Sequence, residues 1–197
     1  QRVLDLKSGK DITKEIKSNV LKKSKINYTY NEKKLFNCNT FIVTVPTPVN
    51  HHNSPDLSNI ISATKTAAKN LNDKGLIIFE STVYPGCTEE ILIPIIKKVS
   101  KKKFNKDFFV GYSPERIDPG LSKYKLNNQV KIISGSNSKS LKIMKSIYSK
   151  IINKKLYETK DIKTAEAAKI IENTQRDINI AFINELSMLF HKLNINT

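Results

Sequence analysis

The nonapeptide TFIVTVPTP, residues 40–48, decides the fold. Its first six residues carry no charge and read as a continuous apolar run, the pattern of a strand buried on both faces of a parallel sheet. Pro46 and Pro48 end it, because a proline supplies no N–H to the ladder. The same construction occurs twice more. LIIF (76–79) runs into ESTVYPG (80–86), and FFVGY (108–112) runs into SPERIDPG (113–120). Between the first two runs the pattern predicts a helix over 57–71, introduced by Asp56 after Pro55. Between the second and third it predicts a helix from Cys87, with Glu89 and Glu90 in the first turn, where acidic groups suit the positive end of the dipole. Alternating strands and helices imply right-handed crossovers and a parallel sheet. The three unusual segments then share the carboxyl edge of that sheet, where open α/β folds receive ligands, and the helix from Cys87 points its amides toward the same edge.

Downstream, residues 130–134 predict a further strand, 139–151 a helix and 155–158 a last short strand. A helix over 162–193 follows, more than thirty residues without Pro or Gly. That length suits a bridge between two domains or a subunit interface. Within it, Glu166, Lys169, Asn173 and Arg176 fall at spacings of three, four and three, one polar stripe along a single face. Ala167, Ala168, Ile170, Ile171 and Thr174 form the opposite face and are expected to pack inward. Upstream, residues 1–37 are polar and Lys-rich, with a short helix expected over 11–18 and a short strand over 27–30.

A formal net charge of +16 raises the class of nucleic-acid binders. The excess is nearly all Lys, spread along the chain with much Ile and Asn, and its densest run (97–103) lacks the interleaved aromatics of a single-strand platform. The reading is therefore a solvated basic surface and no nucleic-acid partner. Arginine is scarce, and Arg116 and Arg176 both sit inside motif segments, where a planar fork matters most. Cys38 and Cys87 make no disulfide framework and fit a reducing compartment. His51, His52 and His191 have no metal-ligand spacing. No run approaches the ~20 apolar residues of a membrane span. A cytoplasmic protein without a membrane partner is expected.

The segments FIVTVPTP (41–48), ESTVYPGCTEE (80–90), GYSPERIDPG (111–120) and AEAAKIIENTQRDINIAFINE (165–185) resemble, in that order, the UDP-glucose/GDP-mannose dehydrogenase family. The YPG, SPER and ENTQR variants are similar to its branch acting on UDP-N-acetylhexosamines. The resemblance implies a Rossmann-like α/β fold whose first strands are missing, a partial NAD-binding domain over 1–160, and over 161–197 the start of a central helical domain through which the complete protein would form a homodimer. It implies NAD as cofactor and a UDP-sugar as substrate. The C6 alcohol would be oxidised to a uronate in two hydride-transfer steps, for surface polysaccharide biosynthesis. Matched position by position, Lys169 and Asn173 stabilise the oxyanion developing at C6. Glu115 is the base of the hydrolytic stage, and Arg116 joins Glu115, Lys169 and Asn173 in binding substrate. Thr82 holds a water near the nicotinamide, and Thr47 with Pro46 contacts the dinucleotide. Glu166 and Arg176 receive no site role and are expected to pair along the helix.

Two parts of the family pattern do not occur within these residues: a G-x-G-x-x-G turn with its acidic ribose ligand, and the nucleophilic cysteine. Cys87 sits at a helix start, which favours a thiolate, but it does not align with the nucleophile and reads as packing. Pro119 stands where the UDP-glucose branch has a second acid, and Asp118 is out of register. The 197 residues alone are accordingly expected to be inactive. Two other classes share parts of the pattern. One is a dehydrogenase of the hydroxyacid or 6-phosphogluconate type, and the other a noncatalytic basic nucleic-acid-binding domain.

Overall fold

The computed structural model describes residues 1–115 and 128–196. Five strands form one sheet in the order β1-β2-β3-β4-β5: Thr40–Val43, Gly75–Phe79, Phe108–Tyr112, Lys131–Gly135 and Leu156–Glu158. β1, β2 and β3 pair in parallel, with Thr40 opposite Leu76 and Gly75 opposite Phe108. Beyond β3 the sheet is mixed. β4 runs antiparallel to β3, with Gly111 opposite Gly135, and β5 is parallel to β4. The β4 to β5 connection is a crossover through the helix over Ser138–Tyr148, which suits a parallel pair. Gly111 and Gly135 meet at this junction because the next helix lies close. A Cβ on Gly111 would sit 2.3 Å from the Met144 sulfur, and one on Gly135 would sit 2.6 Å from the Leu141 amide.

The helices are α1 (Arg2–Lys7), α2 (Ser18–Lys23), α3 (Ser58–Lys69), α4 (Ile93–Ser100), α5 (Ser138–Tyr148) and α6 (Ile162–Lys192). α3 to α6 cover both faces of the sheet. On one side Phe41, Val43, Ile77, Phe79, Phe108, Val110 and Tyr112 pack against α3, α4 and the start of α6. On the other, Leu76, Ile78, Phe109 and Ile133 pack against Met144 and Tyr148 of α5 and against Ile152. β2 and β3 are buried on both faces, as their sequences predict. β1 is not: it is the outermost strand of the described sheet, and Ile42 is 45% exposed.

The N-terminal expectations also need correction. No helix forms over 11–18 and no strand over 27–30; α1 and α2 flank that region instead. Asp11 is the reason for the first, since its carboxylate accepts from the amides of Thr13, Glu15 and Ile16 and from the Thr13 hydroxyl. Such local acceptance competes with helical hydrogen bonding. The helix expected from Cys87 opens as a wide π-type turn over Thr88–Leu92 before becoming α4. Pro94 lies just inside α4, where a regular turn would drive its ring into the carbonyl four residues earlier.

α6 departs from its predicted faces at particular positions, while Ala167, Ala168 and Ile170 are half-buried. Ile162, Ala165 and Glu166 are buried, whereas Ile171, expected inside, is 66% exposed and Thr174 is exposed. Asp161 caps the helix, accepting from the Thr164 amide at 2.7 Å. Among the described residues no helix is long and apolar enough to cross a membrane.

Candidate active site

Three loops leave the parallel strands at one edge, and their polar groups bind each other. The Ser81 hydroxyl, just past β2, donates to the Val45 carbonyl past β1 at 2.6 Å. The Tyr112 hydroxyl at the end of β3 donates to the Ser81 carbonyl at 3.2 Å, and burial raises its pKa. Ser113 donates to the Ile132 carbonyl at 2.7 Å, joining β3 to β4. Edge geometry is therefore held by hydroxyls from the ends of β2 and β3 bonded to carbonyls of neighbouring segments, which stiffens these loops.

Beneath this edge lies a buried charged pair. The Lys131 ammonium of β4 is 3.0 Å from a Glu80 carboxylate oxygen, and the Tyr148 hydroxyl donates to the other oxygen. Lys131 also donates to the Pro114 carbonyl at 3.3 Å and lies 5.3 Å from the centre of the Tyr148 ring. The pairing satisfies an ammonium that is only 3% exposed; left alone there, such a charge would be strongly disfavoured. From the other side, Lys169 of α6 donates to the Glu115 carbonyl at 2.6 Å. Two lysines from different elements thus grip consecutive carbonyls of the segment that carries Glu115.

Each predicted site residue can now be located. Lys169 and Glu115 are half-buried and brought together. Asn173, one turn on, and Thr82 are exposed. Pro46 is exposed beside Thr47, and its carbonyl accepts from the Asn59 side chain at 3.2 Å. The Thr47 hydroxyl is buried and has no hydrogen-bond partner. A buried hydroxyl without a partner is costly, so this atom fits an edge completed by a polar ligand. Arg116, Asp118 and Pro119 lie outside the described residues. Among the described residues no group of acidic, His and Cys side chains suits a metal ion.

The helix-start amides expected to face a ligand are already occupied. Glu166 is wholly buried, and its two oxygens accept from the Gly86 amide at 2.6 Å and the Thr88 amide at 2.9 Å. Burial raises its pKa, against the opposing pull of the Thr88 and Gly86 hydrogen bonds. Glu166 and Arg176 are therefore not partners along the helix; Arg176 pairs with Glu172 at 3.1 Å. Cys87 is fully buried. Burial first, then the Glu166 and Glu90 charges, push its thiol up to about 12, the opposite of an activated nucleophile.

The sequence assigns no site role to Glu80, Lys131, Tyr148 or Glu166, which the structure places at this edge. For Lys131 a signal existed, a lone lysine entering the apolar run KIIS. For Glu166 there was none, because a stripe along a helix does not say which end of it meets the sheet.

Residues 2–152 match the NAD binding domain of the UDP-glucose/GDP-mannose dehydrogenase family, and residues 163–197 match that family's central domain. UDP-N-acetyl-D-glucosamine 6-dehydrogenase of Salmonella typhi is 46% identical over 198 residues, covering 100% of this chain and 47% of the relative. Protein CapL of Staphylococcus aureus is 44% identical, covering 100% of this chain and 46% of the relative. The structure of UDP-D-ManNAc dehydrogenase from Pyrococcus horikoshii superposes with a TM-score of 0.90 at 32% identity, covering 98% of this chain and 47% of that one. The chain spans about half the length of the curated relatives it matches. With most of its length matched to one NAD-binding model, and with the strand-end motifs assembled on a Rossmann-like sheet, this chain belongs to the UDP-glucose/GDP-mannose dehydrogenase family.

Proposed function

We propose that the gene product containing this chain is an NAD-dependent nucleotide-sugar 6-dehydrogenase. It oxidises the C6 alcohol of a UDP-N-acetylhexosamine to the uronate in two steps, for surface polysaccharide biosynthesis in the cytoplasm. The observation that carries the reading is the hydrogen bond from Lys169 to the Glu115 carbonyl, which joins two motif segments 54 residues apart in one site. An ammonium donating one N–H to a backbone carbonyl keeps two for another oxygen, so Lys169 can hold a developing alkoxide at C6 while its own position stays set. Asn173, one helical turn along the same face, supplies an amide donor to that oxygen. Glu115 acts as the base of the hydrolytic stage, and Arg116 binds substrate.

On the other flank, the unpartnered Thr47 hydroxyl, with Pro46 and Thr82, would hold the dinucleotide. The chemistry it supplies when bound is acceptance of hydride. Residues 1–160 then form part of the NAD-binding domain, and 161–197 begin a central helical domain that pairs two copies. The exposed Ile178, Phe182, Ile183 and Leu189 along α6 support that last assignment.

The test is NADH formation by the complete gene product with UDP-N-acetylglucosamine, UDP-N-acetylmannosamine, UDP-glucose and a panel of 2- and 3-hydroxyacids. Two NADH per UDP-N-acetylhexosamine is the expected result. Oxidation of hydroxyacids with none of UDP-sugars would sink the reading.

A further inference from the structure

We propose that Glu166 is a positioning residue, the link that sets Lys169 and Asn173 against the loop carrying Thr82. This deepens the function proposed above and rests on the roles given there to Lys169 and Asn173.

Three observations carry it. First, Glu166 precedes Lys169 by three residues and Asn173 by seven, so all three share one face of α6. Second, its carboxylate reaches across the fold to the other flank of the site. The amides it accepts from, Gly86 and Thr88, lie 80 and 78 residues away in sequence and close the 80–86 loop. Gly86 has φ of +95°, a conformation side-chain-bearing residues rarely adopt, so this turn has one backbone path and the carboxylate clasps it at a rigid point. Third, Lys169 is tied at its tip to the loop after β3. α6 is thereby pinned at two points one turn apart, to the loop after β2 by Glu166 and to the loop after β3 by Lys169. Rotation of the helix about its axis would break one bond or the other.

The side-chain type matters. Both partners are N–H donors, so both terminal atoms of residue 166 must accept. A carboxylate does this, whereas a glutamine presents one oxygen and turns its NH2 against a donor. No cation faces the carboxylate within hydrogen-bond reach among the contacts described, so the charge is held by amides at the positive start of the Thr88–Ser100 helical segment. Its burial places it beyond direct contact with solvent. The role is therefore exerted through Lys169 and Asn173 on the same helix face.

The test uses the complete gene product carrying Glu166→Gln, Glu166→Asp, Lys169→Ala and the Glu166→Gln/Lys169→Ala pair. It reads kcat, KM for NAD and for UDP-N-acetylglucosamine, and cooperative melting. Misplacement of a catalytic group by about 1 Å can cost on the order of 100-fold, so Glu166→Gln is expected to lower kcat by roughly 10- to 100-fold. KM for NAD should stay within about threefold, since Thr47 and Pro46 after β1 are not bonded to Glu166. The double variant should lose less than the product of the two single losses, because part of the effect of Glu166 passes through that lysine. Glu166→Asp, which keeps the charge but shortens its reach, should fall between wild type and Gln. Wild-type kcat in Glu166→Gln overturns the proposal, as does a loss that multiplies with that of Lys169→Ala. If the Gln variant does not melt cooperatively, the Asp variant decides, and full turnover there overturns the proposal. Wild-type turnover by Lys169→Ala overturns the assignment of Lys169 itself, a failure visible without any Glu166 variant.

Discussion

The two ends of α6 are one uninterrupted helix with opposite fates. Over its first two turns Ile162, Ala165 and Glu166 are buried, packed on β3, β4 and the π-type turn. From Ile171 onward nearly every residue is exposed, including Ile178, Ile180, Phe182 and Ile183. The sequence is no more apolar at the start than at the end. What differs is the neighbour: the first turns meet a sheet edge with two loops, whereas most side chains of the later turns are exposed among the described residues. Helical pattern sets which residues share a face, and packing decides which face matters.

The largest expected effect lies at the tied end. Lys169→Ala in the complete gene product should lower kcat by roughly 100- to 1,000-fold, the cost of one preorganised oxyanion donor. Steady-state NADH formation reads it directly, and a loss below tenfold would erase the functional contrast between the two ends of α6.

Next is the buried pair beneath the loops. Lys131→Met strands Glu80 and frees the Pro114 carbonyl. Breaking a buried pair from one side costs about 3 kcal/mol or more, to be measured by urea denaturation. A stability change under 1 kcal/mol would mean that the edge does not depend on Lys131.

The comparison itself is sharpened by matched truncations. Ile162→Ala removes a side chain that is 2% exposed, and about 3 kcal/mol of destabilisation is expected. Ile178→Ala, at 61% exposed, should change the stability of the single chain by less than about 0.5 kcal/mol. A larger, concentration-dependent loss for Ile178→Ala in the complete gene product would show a second copy covering that face.

The smallest effect concerns Cys87. With its thiol pushed up to about 12, it stays protonated through neutral pH. At pH 8 only about one part in ten thousand is thiolate, so a maleimide should label the half-buried Cys38 and spare Cys87. Because the folded value is the raised one, the stability tied to the neutral thiol is complete below the unfolded value near 8.5 and is lost as pH climbs toward 12. Rapid labelling of both cysteines at pH 8 in the native state would contradict the buried placement.

Most of the fold was legible. The apolar runs ending at Val45, Phe79 and Tyr112 named three strands, and the Pro- and Gly-containing segments after them named the functional edge. The absence of Pro or Gly over 162–193 marked α6. The direction of β4 was not legible, because an apolar run has the same pattern in either direction. Nor was the one-sided burial of β1, since a continuous run states what a strand can tolerate rather than what covers it.

The site divides the same way. Sequence alone determined that Lys169 and Asn173 share a helix face and that three motif loops share an edge, because periodicity and crossover handedness are local consequences of backbone geometry. Only the tertiary structure decided that Lys169 meets Glu115, that Lys131 and Glu80 pair beneath the loops, and that Glu166 closes on Gly86 and Thr88. Each of those contacts joins residues at least 50 positions apart. Their partners are selected by which elements pack, and that choice is made by the burial of the whole core rather than by any stretch of chain.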